Sequence, residues 1–143
     1  MKVLDLNLLI YAVNRDSPAH ARAKAWLEAT LSGDEPVGMP WAVLLGFLRL
    51  ATSERVLLRP LTAEQGIAIV DGWLRQPAVL ALAPGEEHWT NLRQLIAETG
   101  TAHNLTTDAH LAALAIENGA ELGSSDTDFA RFPRLRWVNP IAR

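Results

Sequence analysis

The apolar positions of the chain fall into runs of two kinds, separated by polar turns. One kind is short and lacks helical spacing, as expected for strands buried on both faces of a parallel sheet. Five runs are of this kind: the run around Val3 and Leu4, and residues 35–39, 79–83, 121–125 and 135–138. They predict the strands of the sheet.

The other kind is longer and repeats apolar residues at helical spacing. These segments predict six helices, at residues 8–13, 19–31, 41–52, 63–75, 86–99 and 106–116. Thr62 followed by Gln65 predicts a capping box at the start of the fourth helix. The third helix is apolar nearly all round, which indicates burial in the core or under a partner protein.

Strands that alternate with helices predict βαβ units and a mostly parallel, doubly wound sheet. The right-handed crossovers of such units place the carboxyl ends of all strands on one edge. The 143 residues show no repeat, linker or low-complexity tract, so we expect a single domain over 1–143.

Four aspartates are expected to converge at that edge of the sheet. Asp5 follows the first strand, Asp126 and Asp128 follow the fourth, and Asp108 lies in the first turn of the preceding helix. Each also has a structural explanation: Asp5 could cap a helix, Asp108 suits a helix N-terminus, and Asp126 and Asp128 suit a turn.

Several carboxylates at one edge repel each other, and a hard divalent cation removes that repulsion. Because the chain has no cysteine, a metal would have to sit on carboxylates or histidines. Mg²⁺ or Mn²⁺ held by carboxylates polarises phosphoryl oxygens and lowers the pKa of bound water. The pattern therefore predicts phosphodiester hydrolysis.

Composition limits the other possibilities. The net charge of -3 argues against a protein that coats nucleic acid generally. The uncharged run at 37–48 has 12 residues, too few to span a bilayer, and Asp5 interrupts any signal-peptide layout. We expect a cytoplasmic protein without a membrane anchor.

Three blocks of the chain, residues 3–12, 106–115 and 126–129, together resemble the PIN-domain nucleases and most of all the VapC-type toxins of bacterial toxin–antitoxin pairs. The resemblance covers essentially the whole chain. It implies a three-layer α/β/α sandwich with a central, mostly parallel sheet.

The resemblance also implies roles for site residues. It assigns metal binding to three aspartates: Asp5, Asp108 and Asp126. Asp128 would be a further acidic residue near the metal, and Asn7 and Ser124 would orient carboxylates and water.

The activity implied is Mg²⁺- or Mn²⁺-dependent endoribonuclease cleavage that leaves a 5′-phosphate and a 3′-hydroxyl. An antitoxin protein would be the inhibitor, and a homodimer the usual state. Arg15, Arg49 and Arg131 are candidates to hold RNA phosphates, although each also suits a solvated loop or helix end.

The chain departs from the family pattern at one position. The family commonly carries a Glu on the helix after the second strand, and here Gly46 falls at about that place. Either the aspartates suffice, with Asp128 compensating, or the site binds metal weakly. In the second case the chain would bind RNA or a protein partner without cutting. A phosphatase that forms an aspartyl-phosphate is disfavoured, because Asn7 stands where such enzymes carry a second Asp.

Histidines and tryptophans have weaker functional signals. His20 and His88 are expected at the surface, and His110 is expected to point outward from its helix. Trp41 and Trp137 are the tryptophans that could stack on a base or a partner.

Overall fold

The protein is built around one central sheet in a computed structural model, which describes residues 1–142. Within these residues five strands form one parallel sheet in the order β3-β2-β1-β4-β5. The strands are β1 (Lys2–Leu4), β2 (Val37–Pro40), β3 (Val79–Leu82), β4 (Glu121–Gly123) and β5 (Trp137–Val138). Each lies within two residues of a predicted strand, so the doubly wound α/β prediction is confirmed.

The direction in which the chain adds strands to the sheet reverses at β1. The chain runs from β1 outward through β2 to β3, and then returns to β4 on the other side of β1. Leu4 pairs with Gly123 at the carboxyl ends of β1 and β4. Open α/β sheets bind their ligands in the crevice at such a reversal. The residues that follow Leu4 and Gly123 therefore line the expected ligand site.

Helices cover both faces of the sheet. They are α1 (Leu6–Val13), α2 (His20–Leu31), α3 (Trp41–Ala51), α4 (Ala63–Arg75), α5 (His88–Thr99) and α6 (Thr106–Glu117). Helix α1 packs on α2 and α3, and α3 packs on α4, while α5 packs on α6, which lies against β1 and β4. The fold is a three-layer α/β/α sandwich. None of the helices within residues 1–142 is long and apolar enough to cross a membrane.

Alanines bring α6 close to the sheet. Ala109, Ala112, Ala113 and Ala115 are all fully buried, as are the strand residues Val3 and Leu4. A small side chain at the contact lets the helix backbone approach the strands closely. This approach carries the first turn of α6 to the carboxyl edge of β1.

The helix α4 begins with the predicted capping box, in which the Thr62 and Gln65 side chains each accept from the other's backbone N–H. The helical spacing of Ile67, Val70 and Leu74 predicts one apolar side for this helix, but Ile67 is 54% exposed, whereas Gly66 and Trp73 are buried. A Cβ on Gly66 would lie only 3.2 Å from a methyl group of Leu48, so the glycine sets the face that meets α3.

The helix α3 is buried on one side only. Val43, Leu44 and Phe47 lie in the core, but Trp41 is 49% and Leu45 60% exposed. Its buried side packs on α4, where the rings of Phe47 and Trp73 meet edge to face at 4.6 Å. The outer side leaves these apolar side chains exposed.

A buried polar cluster joins α5 to α6. The His88 ring bridges two groups: its Nε2 lies 2.8 Å from Nδ1 of His110, and its Nδ1 lies 3.3 Å from Oε1 of Glu117. The Gly85 N–H donates to the same Glu117 oxygen. The predictions that His88 lies at the surface and that His110 points outward are both wrong, because the two rings satisfy each other between the helices.

Candidate metal centre

The sheet topology brings four aspartates to one edge from three places in the chain. Asp5 directly follows β1, and its N–H donates to the Gly123 carbonyl at the end of β4. Asp126 and Asp128 follow β4 and begin a 3₁₀ turn over Thr127–Arg131. Asp108 lies in the first turn of α6. These positions match the convergence expected from the order of the strands.

Three of the carboxylates are close enough to share one cation. One oxygen from each of Asp108, Asp126 and Asp128 lies within 4.8 Å of the other two. Asp108 and Asp126 are half-buried, and Asp128 is exposed. Carboxylate oxygens at such separations are the donor set that Mg²⁺ and Mn²⁺ prefer. The residues present therefore fit a hard divalent ion.

Asp5 lies outside this group of three and is held differently. It is buried, its Oδ1 accepts from the Leu6 N–H at 2.7 Å, and its Oδ2 accepts from the Ser124 hydroxyl at 2.6 Å. Asp5 is thus the N-cap of α1 as well as part of the acidic edge. The cap explanation for Asp5 is therefore confirmed, and its role as a metal ligand stays a prediction.

Ser124 and Asn7 connect Asp5 to Asp126. The buried Ser124 hydroxyl, which donates to Asp5, accepts from Asn7 Nδ2 at 3.2 Å and from the Asp126 N–H at 3.0 Å. The Asn7 carbonyl oxygen in turn accepts from the Ser125 N–H at 3.4 Å. Such contacts fix the rotamers of acidic side chains, as partners of metal ligands commonly do.

Burial and electrostatic repulsion raise the pKa values of two of the aspartates, Asp108 and Asp5. Burial, followed by the charges of Asp126, Asp5 and Asp128, raises the pKa of Asp108 from 3.8 to about 6. Burial is also the main cause of the raised pKa of Asp5, which the hydrogen bond from Ser124 partly offsets. Carboxyl groups with raised pKa values at a cleft are typical of functional sites.

Without metal, the contribution of Asp108 to the free energy of unfolding should fall as pH rises from about 4 to about 6. Its carboxyl keeps a proton in the fold up to a pKa of about 6 but loses it near 3.8 when unfolded. The bound proton therefore stabilises the fold fully below pH 3.8, and this contribution is lost above about pH 6.

Asp108→Asn should consequently stabilise the metal-free protein at pH 7 by about 1 kcal/mol, after allowance for screening at a half-exposed group. Thermal melts in a chelator should show a gain of about 3 °C at pH 7 and almost none at pH 4. An equal rise in melting temperature at both pH values would contradict the raised pKa of Asp108.

The side of the site that faces α3 carries no acid among the described residues. A Cβ on Gly46 would lie 2.8 Å from a methyl group of Leu6, which covers the place where the family commonly has a Glu. Glu35 lies before β2 and pairs with the N-terminus and Lys2, and Glu54 lies in the loop after α3. Asp128 is therefore the fourth carboxylate of the edge.

The three candidate arginines are all exposed but lie in different places. Arg15 lies in the turn between α1 and α2, and Arg49 in the last turn of α3. Arg131 ends the 3₁₀ turn that begins next to Asp126. Of the three, Arg131 lies beside the acidic group.

A cavity next to the acidic group was missed by sequence reasoning. Its volume is about 260 Å³, and it is lined by residues 101–105 together with Asp128 and Arg131. The segment has no periodic pattern, so the sequence offered only its position directly before the helix that carries Asp108. The tryptophan Trp137, a candidate for stacking, instead donates its ring N–H to the Ser124 carbonyl.

Known proteins resemble this chain over nearly its whole length. The family model of the PIN domain matches residues 2–135. The chain is 48% identical over 141 residues to Ribonuclease VapC33 of Mycobacterium tuberculosis, with 99% of both chains covered. It is 44% identical over 142 residues to Ribonuclease VapC37 of the same species, again with 99% of both covered.

Solved structures share the fold at low sequence identity. VapBC2 of Rickettsia felis, bound to a DNA fragment from its promoter, has a TM-score of 0.72 and 20% identity, covering 96% of this chain and 97% of that one. VapC20 of Mycobacterium tuberculosis, described as a Sarcin-Ricin loop cleaving toxin, has a TM-score of 0.65 and 16% identity, covering 95% and 99%.

Proposed function

The chain belongs to the PIN-domain family, and from this premise we propose that it is a metal-dependent endoribonuclease that acts as the toxin of a toxin–antitoxin pair. Its relatives with more than two-fifths identity over nearly their whole length are named ribonucleases. The single observation that carries the catalytic part of the proposal is the group formed by Asp108, Asp126 and Asp128, whose oxygens lie within 4.8 Å of one another.

These three carboxylates would hold Mg²⁺ or Mn²⁺, together with Asp5, the ligand that the family resemblance assigns beside them. The ion, when bound, supplies charge stabilisation at the phosphoryl group and a water activated for attack. The protein contributes the position of the ligands: Ser124 joins the Asp5 carboxylate to the backbone of Asp126, so the two acids keep a fixed relation. By family resemblance, cleavage would leave a 5′-phosphate and a 3′-hydroxyl.

A protein antitoxin and a second copy of the chain are the proposed partners. Several structurally similar proteins were solved as two-component complexes, among them FitAB bound to a DNA fragment and VapBC of Salmonella typhimurium bound to DNA. The exposed side chains of Trp41 and Leu45, one helical turn apart on α3, support protein contact at this surface. A toxin that acts on cellular RNA would work in the cytoplasm.

One observation favours a second candidate function. Leu6 covers Gly46, so the α3 side of the site is apolar where the family commonly supplies a carboxylate. If the remaining acids held the ion too weakly, the protein would bind RNA or a partner without cutting it.

Cleavage of RNA by the purified chain separates the two candidates. We expect labelled single-stranded RNA to be cut in millimolar Mg²⁺ or Mn²⁺, to give 5′-phosphate ends, and to stay intact when a chelator is in excess. Retention of RNA in a binding assay with no cleavage in either metal would instead support the binding protein.

A further inference from the structure

The cavity beside the acidic group is lined mainly by polar residues, and Asp128 is one of them. Its volume of about 260 Å³ is just below the range of pockets that enclose small ligands. Of its lining, Leu105 is buried, and the other residues of the 101–105 segment are exposed. A cavity of this size suits one flat ring system.

Asp128 belongs to both the acidic group and the lining of this cavity. A phosphodiester held at the acidic group would therefore place its neighbouring nucleotide at the mouth of the cavity. Single-stranded RNA presents unstacked bases, and proteins read these by stacking on aromatic rings, including histidine, and by hydrogen bonds to the base edges. Residues that carry both kinds of group line the cavity, namely His103 and Asn104.

His103 has a backbone conformation that few side chains adopt. Its φ is 38°, and it is the only residue other than glycine with a positive φ among residues 1–142. Such a conformation costs about 1–3 kcal/mol and is found at ligand sites more often than elsewhere. His103 lines the cavity and begins the short 3₁₀ turn that precedes the helix of Asp108.

Arg131 supplies the positive charge that a nucleotide needs. Its guanidinium makes no hydrogen bond or ion pair to any other residue in the described part of the chain. Arg134, three residues later, pairs with Glu98 at 3.4 Å, and Arg136 donates to a backbone carbonyl. Arg131 is thus available to a phosphate, which arginine binds through a bidentate fork.

We propose that this cavity binds the nucleotide next to the scissile phosphodiester, with the base against His103 and Asn104 and its phosphate on Arg131. The inference rests on the proposed ribonuclease function and adds the residues that select the cleavage site. His103, Asn104 and Arg131 are then specificity-determining residues, distinct from the acids that hold the ion.

Two variants test the proposal. Asn tolerates positive φ values, so His103→Asn removes the ring and keeps the loop conformation. Arg131→Gln removes the charge at an exposed position. The matched control is Arg134→Gln, the same change three residues away and outside the cavity. Each protein is incubated in Mg²⁺ with single-stranded RNA that carries a randomised segment, the cut ends are sequenced, and kcat and KM are measured on one preferred RNA.

We expect Arg131→Gln to raise KM about tenfold with kcat nearly unchanged, as the loss of one charged contact predicts. His103→Asn should weaken the base preference at a single position next to the cut and raise KM by about fivefold or more. The control should match the parent. Calorimetry with Mn²⁺ should give the same affinity for all four proteins, which shows that the acidic group is intact.

The proposal is overturned if both variants cut the same positions as the parent with the same KM, or if their Mn²⁺ affinity falls in parallel with their activity. If the parent itself cuts no RNA, the proposed function fails separately. In that case, fluorescence anisotropy with a single-stranded RNA tests whether the cavity binds a nucleotide. A dissociation constant raised by both variants and not by Arg134→Gln supports the cavity as a nucleotide site, and an unchanged one overturns it.

Discussion

Replacing Asp126 by Asn should lower RNA cleavage by more than about 100-fold and leave the fold intact. Loss of a residue that only orients a metal ligand commonly costs 10- to 100-fold, so loss of a ligand's charge should cost more. Asp126 also caps the 3₁₀ turn, since its Oδ1 accepts from the Asp128 N–H at 2.9 Å. The Asn oxygen can still accept this hydrogen bond, which is why the turn should survive.

The measurement is the cleavage rate of labelled RNA in saturating Mg²⁺, together with a thermal melt in chelator. The matched control is Asp71→Asn, because Asp71 is an exposed carboxylate on α4. It should cut RNA at the parent's rate. A rate for Asp126→Asn within tenfold of the parent would show that Asp126 does not hold the catalytic ion.

The largest loss of stability is expected from His88→Leu. His88 is 8% exposed, and its two ring nitrogens contact Glu117 and His110. Without the ring, the Glu117 carboxylate would keep only the Gly85 N–H as a partner for Oε1, and its Oε2 already has none within residues 1–142. Removing one hydrogen-bond partner from a buried carboxylate costs about 3 kcal/mol. We expect the melting temperature to fall by about 10 °C.

A second substitution distinguishes the lost pairing from lost packing. Glu117→Gln added to His88→Leu removes the buried charge but keeps an acceptor for the Gly85 N–H. The double variant should recover at least half of the lost stability in a chemical unfolding experiment. A double variant as unstable as His88→Leu alone would mean that the ring matters for its shape and not for its contact with Glu117.

The acidic edge could be predicted from the sequence because its members are tied to regular elements. Asp5 follows a strand, Asp126 follows another, and Asp108 begins a helix, so the rule for parallel sheets places all three at one edge. The layers and strand positions follow from the same alternation of short apolar runs and helices. The pairing of Leu4 with Gly123 then gives Asp5 its contact with Ser124.

Features that depend on contacts between distant residues could not be predicted. His88 pairs with residues 22 and 29 positions away, and nothing local distinguishes it from a surface histidine. The buried face of α4 was mispredicted because Gly66, which has no side chain to count as apolar, sets the contact with α3. The positive φ of His103 likewise belongs to a loop without a periodic pattern, so the sequence does not predict it.

The structure adds detail at Asp5 and Gly46. Each oxygen of Asp5 accepts one hydrogen bond within the chain, which fixes the carboxylate beside the acidic group, and its role as a metal ligand stays a prediction. Leu6 covers Gly46, and one oxygen from each of Asp108, Asp126 and Asp128 lies within reach of a shared ion. The exposed Asp128, part of a turn and not of a strand or helix, completes the group.

Binding of Mn²⁺ to the purified chain tests most directly whether this acidic group is a metal centre. Electron paramagnetic resonance of free Mn²⁺ follows the titration without any need for catalysis. We expect the parent to bind Mn²⁺ in the millimolar range or more tightly, and Asp126→Asn to bind it at least about tenfold more weakly. Equal binding by the two proteins, or no binding by the parent, would contradict a metal centre on Asp108, Asp126 and Asp128.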